Sequence, residues 1–211
     1  AAIGVVLTGE LDDGTAGLAA PKACGGKAVV QDPQEAVAPS MPASALANVE
    51  VDHCVPLEAI APLLSRLVEP PASAAPLAAP ETLRREQSIF EGVQPMESLR
   101  AIGTPSQLTC PDCGGTLSEV QGARPLRYRC HTGHAYTAMS LASAQAEQTD
   151  QALQASLRAL KEREQLLRRV AGVWRGIGDQ AQAEVGLQQA ARVQQQAARL
   201  AELIAEGTGG A

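Results

Sequence analysis

The chain opens on an apolar, largely β-branched run, Ile3 to Thr8 (IGVVLT), with no charged interruption and Gly9 behind it. Such a run predicts a strand buried on both faces, and with it a parallel sheet. After the turn GELDDG, Thr15 to Cys24 has helical spacing and stops at Gly25-Gly26, and Lys27 to Gln31 (KAVVQ) predicts the next strand, closing a βαβ unit. A short apolar helix around Met41 to Ala47, a small strand at His53 to Leu57 and a helix from Glu58 to Val68 follow, the last with Ile60, Leu63, Leu64 and Leu67 on one face. Residues 1–68 are therefore an α/β segment. Three strands make a poor doubly wound sheet by themselves, so the expected fold class is the terminal part of such a parallel sheet, the tail of a larger domain.

Residues 69–80 (EPPASAAPLAAP) predict an extended joint, and a polar helix from Glu81 to Glu91 leads to a second joint around Gln94 to Ser106, so 69–106 is expected to be a linker with one short helix. Residues 107–137 carry three cysteines. From Ser140 the pattern turns helical, with Leu153, Leu157, Leu160, Leu167 and Trp174 forming one seam. Gly176 to Gly178 break it. Asp179 with Gln182 three residues on is a capping-box pattern for a second helix, whose seam is Leu187, Ala190, Val193, Ala197, Leu200 and Ile204. Residues 138–206 are thus expected to be an antiparallel helical hairpin, with 207–211 a tail. Its charges alternate in sign, as on a solvated face.

Composition narrows the class of function. Apolar residues make up 45% of the 211, but only four are aromatic, so a base-stacking platform is not expected. Seventeen basic against 23 acidic residues leave a net charge of −6, which repels nucleic acid and anionic membrane alike. There is neither a membrane-length apolar run nor a signal-peptide pattern, and a cytoplasmic location is the expectation.

Five cysteines, three of them crowded with a histidine into one short stretch, point to metal chemistry rather than a disulfide framework. In Cys110-Pro-Asp-Cys113-Gly-Gly two thiolates can converge on one ion, with Gly114 letting backbone amides approach the sulfurs. In Cys130-His-Thr-Gly-His134, Cys130 and His134 complete a tetrahedral set, with His131 the alternative fourth ligand. Strand-like alternation over Thr116 to Val120 and Leu126 to Arg129 predicts a zinc-ribbon-like β-hairpin that brings the two halves together. The expectation is a closed, structural zinc site. No carboxylate is placed as a general base for a catalytic one. Cys24 and Cys54, in apolar surroundings, are expected to be buried free thiols.

The turn after the first strand lies where open parallel sheets bind ligands. Spacing alone leaves two readings of its aspartates: chemistry, or capping and turn formation by Asp12 or Asp13. The stretches VVLTGELDDGTAGL, GGKAVVQD, SMPASAL and VDHCVPLEAIAPLL, in that order, resemble the C-terminal third of the catalytic domain of the bacterial chemotaxis protein-glutamate methylesterase family over about residues 1–68. A branch of that family that reads G-x-L-D-D-G and continues into a C-P-x-C…C-x-x-G-H segment and paired helices is similar to almost the whole chain. The resemblance implies hydrolysis of glutamate methyl esters on a methylated chemoreceptor or similar signalling protein, by a Ser-His-Asp triad needing no cofactor. Asp13 matches the triad carboxylate. The family's serine and histidine lie upstream of that motif, so this stretch alone is expected to be inactive, truncated before its nucleophile. Glu10 and Leu11 stand where the commoner motif has Met and Gly, and Met41-Pro42 matches a Met-Pro motif whose expected role is packing. The alternative is a non-catalytic zinc-ribbon and hairpin interaction module in a signalling complex.

Overall fold

The computed structural model describes residues 2–68 and 77–208, in two units, Ala1–Ala144 and Gln145–Ala211. The first begins with strands β1 (Ile3–Val6), β2 (Lys27–Gln31) and β3 (His53–Val55), which form a parallel sheet in the order β1-β2-β3. Val5 stands opposite Val29 and Val30 opposite Cys54. Helices α1 (Asp13–Ala23) and α2 (Ser40–Asn48) make the crossovers, and α3 (Leu57–Leu67) follows β3. Val6, Leu18, Ala28, Val30 and Ala45 form one core, with Met41, Val49 and Val51 packed against it. Each large aliphatic side chain so buried contributes roughly 1.5–3 kcal/mol. Val29 faces the other way, the side on which α3 buries Ile60 and Leu63.

Within these residues β1 and β3 are the outer strands of the sheet, so the first strand, expected to be buried on both faces, and Cys54, expected to be a buried thiol, are both partly uncovered here. Val5 is 38% exposed, Leu7 43%, and Cys54 is exposed, while Cys24 is half-buried. Only the central β2 has the double-sided burial that an apolar run suggests.

The sheet is pinned at its lower end by Asp52. Its carboxylate accepts from Lys22 Nζ at 2.8 Å, Lys27 Nζ at 3.0 Å and the Ala28 N–H at 2.8 Å, joining the end of α1 to the start of β2. Burial works against this charge but is outweighed by those three bonds, and the carboxyl is held well below its usual range. A depressed folded value means stability that is fully present above the unfolded value of about 3.9 and lost as pH falls through the folded one. Asp52→Asn is therefore expected to lower stability by about 1.5–3 kcal/mol near neutral pH and to flatten the acid side of the stability profile. An unfolding midpoint that falls with acid as steeply in the variant as in the parent would remove Asp52 from this role.

The 69–80 joint falls partly on residues outside those described. Beyond it, α4 (Glu81–Phe90) and α5 (Pro95–Ile102) pack together through Ile89, Leu99 and Ile102. Then come β4 (Gly103–Thr109), β5 (Thr116–Val120), β6 (Arg127–Cys130) and β7 (Ala135–Thr137), an antiparallel sheet in that order. Residues 94–106 were expected to be a joint, and they hold a helix and most of a strand. A proline has no N–H for a ladder, and β4 holds Pro105 because it is an edge strand whose register shifts between Pro105 and Thr109.

Glu86 of α4, 5% exposed, fastens α4 to β6. Its oxygens take two bonds from Arg127 (2.9 and 2.7 Å) and two from Arg129 (3.3 and 3.0 Å). Arg129 also donates to the Gly133 carbonyl at 3.2 Å, so the same ionic cluster steadies the Cys130–His134 turn. Glu86→Gln leaves two guanidinium groups facing a neutral amide and is expected to destabilise the first unit by about 3 kcal/mol, read as a lower denaturant midpoint.

Helices α6 (Ala138–Gly176) and α7 (Gln180–Thr208) complete the chain. In the second unit Leu153, Leu157, Leu160, Leu167 and Ala171 line α6 at heptad spacing, and Ala183, Ala190, Val193 and Ala197 are the buried positions of α7. Asp179 caps α7, accepting from the Gln182 N–H at 3.0 Å, as its sequence pattern predicts. Trp174 was expected in the seam and is 38% exposed instead. Near the turn the helices come together at Ala171 and Gly186, where an added Cβ would lie 3.1 Å from the alanine methyl, and an indole has no room between them. Among the described residues no helix is long and apolar enough to cross a membrane.

Candidate functional site

The turn that follows β1 is laced to the loop that follows β2. Gln31, 3% exposed, accepts from the Thr8 N–H at 2.8 Å and approaches Glu35 at 3.4 Å. Thr8 Oγ1 accepts from the Ala38 N–H at 2.8 Å, the Gly9 N–H donates to the Ala38 carbonyl at 2.9 Å, and the Met41 N–H donates to the Gly9 carbonyl at 3.0 Å. Met41 lies over both glycines of the turn: a Cβ would sit 2.8 Å from its methyl at Gly9 and 2.7 Å from its sulfur at Gly14. A side chain at either position would have to displace the end of Met41. Pro42 is fully buried, and the Met-Pro pair packs, as expected. The separate stretches LTG, QD and SMP are three sides of one structure.

Asp13 is the first residue of α1 and is exposed, beyond the carboxyl end of β1. Asp12, beside it, is 3% exposed. Neither reading of Asp12 from spacing anticipated its partner: its side chain makes no cap bond to α1, and its carboxylate accepts a hydrogen bond from Thr137 Oγ1, 125 positions away. No local pattern could have signalled that contact. Leu11 adopts φ +61°, the left-handed region glycine favours and L side chains pay about 1–2 kcal/mol to enter.

The second constellation forms where β4 and β6 end. Cys110, Cys113, Cys130 and His134 each offer one donor atom, and all four atoms lie within 4.8 Å of one another. Cys113 and Cys130 Sγ are 3.8 Å apart, and His134 Nδ1 is 3.5 Å from the sulfurs of both Cys110 and Cys130. Gly114 (φ +70°) and Gly133 (φ +105°) make the two turns. His131, the alternative, is exposed, and its ring lies over Gly115 outside the four-atom group.

Thr132 serves two sulfurs, with Oγ1 at 3.0 Å from Cys113 and 3.3 Å from Cys130. That hydroxyl, with the Gly115 amide and His134, brings the Cys113 thiol down to about 6. Burial raises Cys130, but the Thr132 bonds outweigh it and lower the thiol overall. Cys110, walled in by Leu117 and Leu141, is pushed up by burial. Contact with Cys113 raises His134. Asp112 adds a carboxylate 3.8 Å from His134 Nε2 and accepts from Tyr136 Oη at 2.6 Å.

In open parallel α/β layers ligands bind beyond the carboxyl ends of the strands, and Asp13 stands at such a position. The CheB methylesterase family matches residues 1–64 of this chain. A Leptospira interrogans protein provisionally named protein-glutamate methylesterase/protein-glutamine glutaminase is 51% identical over 65 residues, 31% of this chain and 34% of that one. A Rhizobium meliloti protein-glutamate methylesterase/protein-glutamine glutaminase is 51% identical over 59 residues, 28% of this chain and 17% of its own length. An uncharacterized 104.1 kDa protein of Rhodobacter capsulatus is 34% identical over 113 residues, 48% of this chain and 12% of that one. The chain thus spans about a third or less of the length of these relatives. No solved structure gives a significant match.

Proposed function

We propose that Asp13 is the carboxylate member of a Ser-His-Asp hydrolase acting on glutamate methyl esters of a chemoreceptor or similar signalling protein, and that Cys110, Cys113, Cys130 and His134 hold one structural zinc. The observation that carries the first half is the position of Asp13: exposed, beyond the carboxyl end of β1, its carboxylate without a hydrogen bond or ion pair among the described residues. A histidine there would donate its Nδ1–H to Asp13. That bond sets the tautomer whose Nε2 takes the serine proton as the serine attacks the ester carbonyl, and it steadies the imidazolium that results. Methanol leaves and water releases the acyl-enzyme. The same steps with an amide would release ammonia, in keeping with the second activity in the relatives' names. The serines of these 211 residues lie outside the family's nucleophile motif, so the stretch by itself is expected to release no methanol. The deciding experiment is ester hydrolysis by Asp13→Asn, taken up below.

Support for the metal comes from the donor set and its spacing. Zn–S bonds of about 2.3 Å and Zn–N bonds of about 2.0–2.1 Å at tetrahedral angles put sulfurs about 3.8 Å apart and sulfur and nitrogen about 3.5 Å apart. The distances here are 3.8 and 3.5 Å. Four protein donors leave no open position, so the ion would brace β4 to β6 and take no part in the ester chemistry.

A further inference from the structure

We propose that Thr137 is a positioning residue for the Asp12–Asp13 turn, fastening it to the cysteine-bearing sheet so that order in the turn tracks order in the sheet. The inference rests on the readings of Asp13 and of the metal cluster given above, and deepens both.

The hydroxyl of Thr137 is fully committed. It accepts from the Ser140 N–H at 3.1 Å, capping the first turn of α6, while Ser140 Oγ accepts from the Thr137 N–H at 2.9 Å. The single hydroxyl proton has two acceptors within reach, Ser140 Oγ at 3.0 Å and Asp12 Oδ1, and the charged carboxylate is the stronger of the two. Both partners are buried, Asp12 at 3% and Thr137 at 3% exposure, so little water is at hand to replace the bond. Thr137 is itself placed by the sheet. It ends β7 three residues after His134 and pairs in register with Arg127, which is tied to Glu86. On the other side, Asp12 lies between Leu11, in its left-handed backbone, and Asp13. A strained residue persists only where its surroundings over-determine it, and the bond to Thr137 does so here. The Thr15 N–H donates to the Asp12 carbonyl at 3.1 Å and so reports directly on order in the turn, as the Ser140 N–H reports on the α6 cap.

Those two amides separate the clamp from the cap. Thr137→Asp keeps a good capping group but sets a carboxylate against Asp12, whereas Thr137→Ser keeps both functions. Hydrogen exchange of the zinc-loaded 211-residue chain is expected to be at least about tenfold faster at Thr15 in Thr137→Asp, unchanged at Ser140, and near the parent at both in Thr137→Ser. Equal Thr15 exchange in the parent and Thr137→Asp overturns the clamp. Stripping zinc from the parent, with its content measured, is expected to speed Thr15 exchange by about tenfold as well. A chain that binds zinc, and whose Thr15 amide ignores its removal, overturns the tracking. A chain that binds no zinc overturns the metal reading alone and leaves Thr137→Asp to decide the clamp.

Discussion

Asp13→Asn, in a protein that joins this segment to the nucleophilic serine and its histidine, is expected to cut methanol release from a methylated receptor substrate by about three to four orders of magnitude. An amide can present its NH2 to the histidine and favour the tautomer with the proton on the wrong nitrogen, so the base is lost while the geometry stays. The loss should fall on kcat rather than KM, because in the proposed triad Asp13 would touch the histidine and not the ester. Folding should hardly change. Asp13 is exposed, so the substitution leaves no buried partner orphaned. Asp12→Asn is the informative contrast, since Asp12 is buried and bonded to Thr137. Normal turnover in Asp13→Asn with loss in Asp12→Asn would transfer the role to Asp12, and normal turnover in both would dissolve the triad. The 211-residue chain alone is expected to release nothing, and release that survives Asp13→Asn would mean a different active site.

The second large effect concerns the metal. One zinc per chain is expected in protein prepared without chelator, and its removal, or Cys113→Ser, should disorder β4 to β7. Residues 103–137 bury few large apolar side chains, chiefly Leu117 and Val120, with Leu108, Tyr128 and Tyr136 half-buried. Burial on that scale does not hold a small four-stranded sheet, whereas structural zinc supplies about 10–16 kcal/mol of apparent binding energy. Because Thr137 reaches Asp12 from the end of β7, the disorder should extend to the turn before α1 while β2 and its core persist. His131→Ala should keep the zinc and His134→Ala should lose it, as the geometry sets His134 Nδ1 among the sulfurs. Zinc well below one per chain, with the cluster thiols titrating freely, would defeat the assignment. Loss of zinc from His131→Ala alone would move the fourth ligand.

Much of the fold was legible because its causes are local. KAVVQ carries its strand preference in its own residues, and β2 spans Lys27–Gln31 as the pattern predicts. Asp179 caps α7 because capping needs only the next three residues. The three cysteines of the Cys/His cluster could be grouped from their spacing, which left His131 open beside His134, and it is His134 that lies among the sulfurs. What the pattern misjudged depended on neighbours. A β-branched run carries no mark of whether it is central or at an edge, hence the exposure of Val5 and Cys54. PMESLRAI shows only two core-facing apolar residues, and Leu99 and Ile102 make a helix worthwhile only because Ile89 of α4 covers them. Trp174 has the right phase for the seam, but phase does not reveal how closely two helices approach.

By itself, then, the sequence determined the parallel βαβ start, the hairpin of long helices, the three cysteines grouped at the ends of β4 and β6, and the motif in which Asp13 sits. These follow from periodicity, capping and ligand spacing, all set within a few residues of chain. Only the tertiary structure decided that Glu86 lies between Arg127 and Arg129, that Met41 covers Gly9 and Gly14, and that Asp12 turns from its own helix to Thr137. Each of these joins residues far apart in the chain through a buried charge or a close contact. Such a partnership leaves no periodic trace, because its energy comes from desolvation and fit that exist only once the elements have packed.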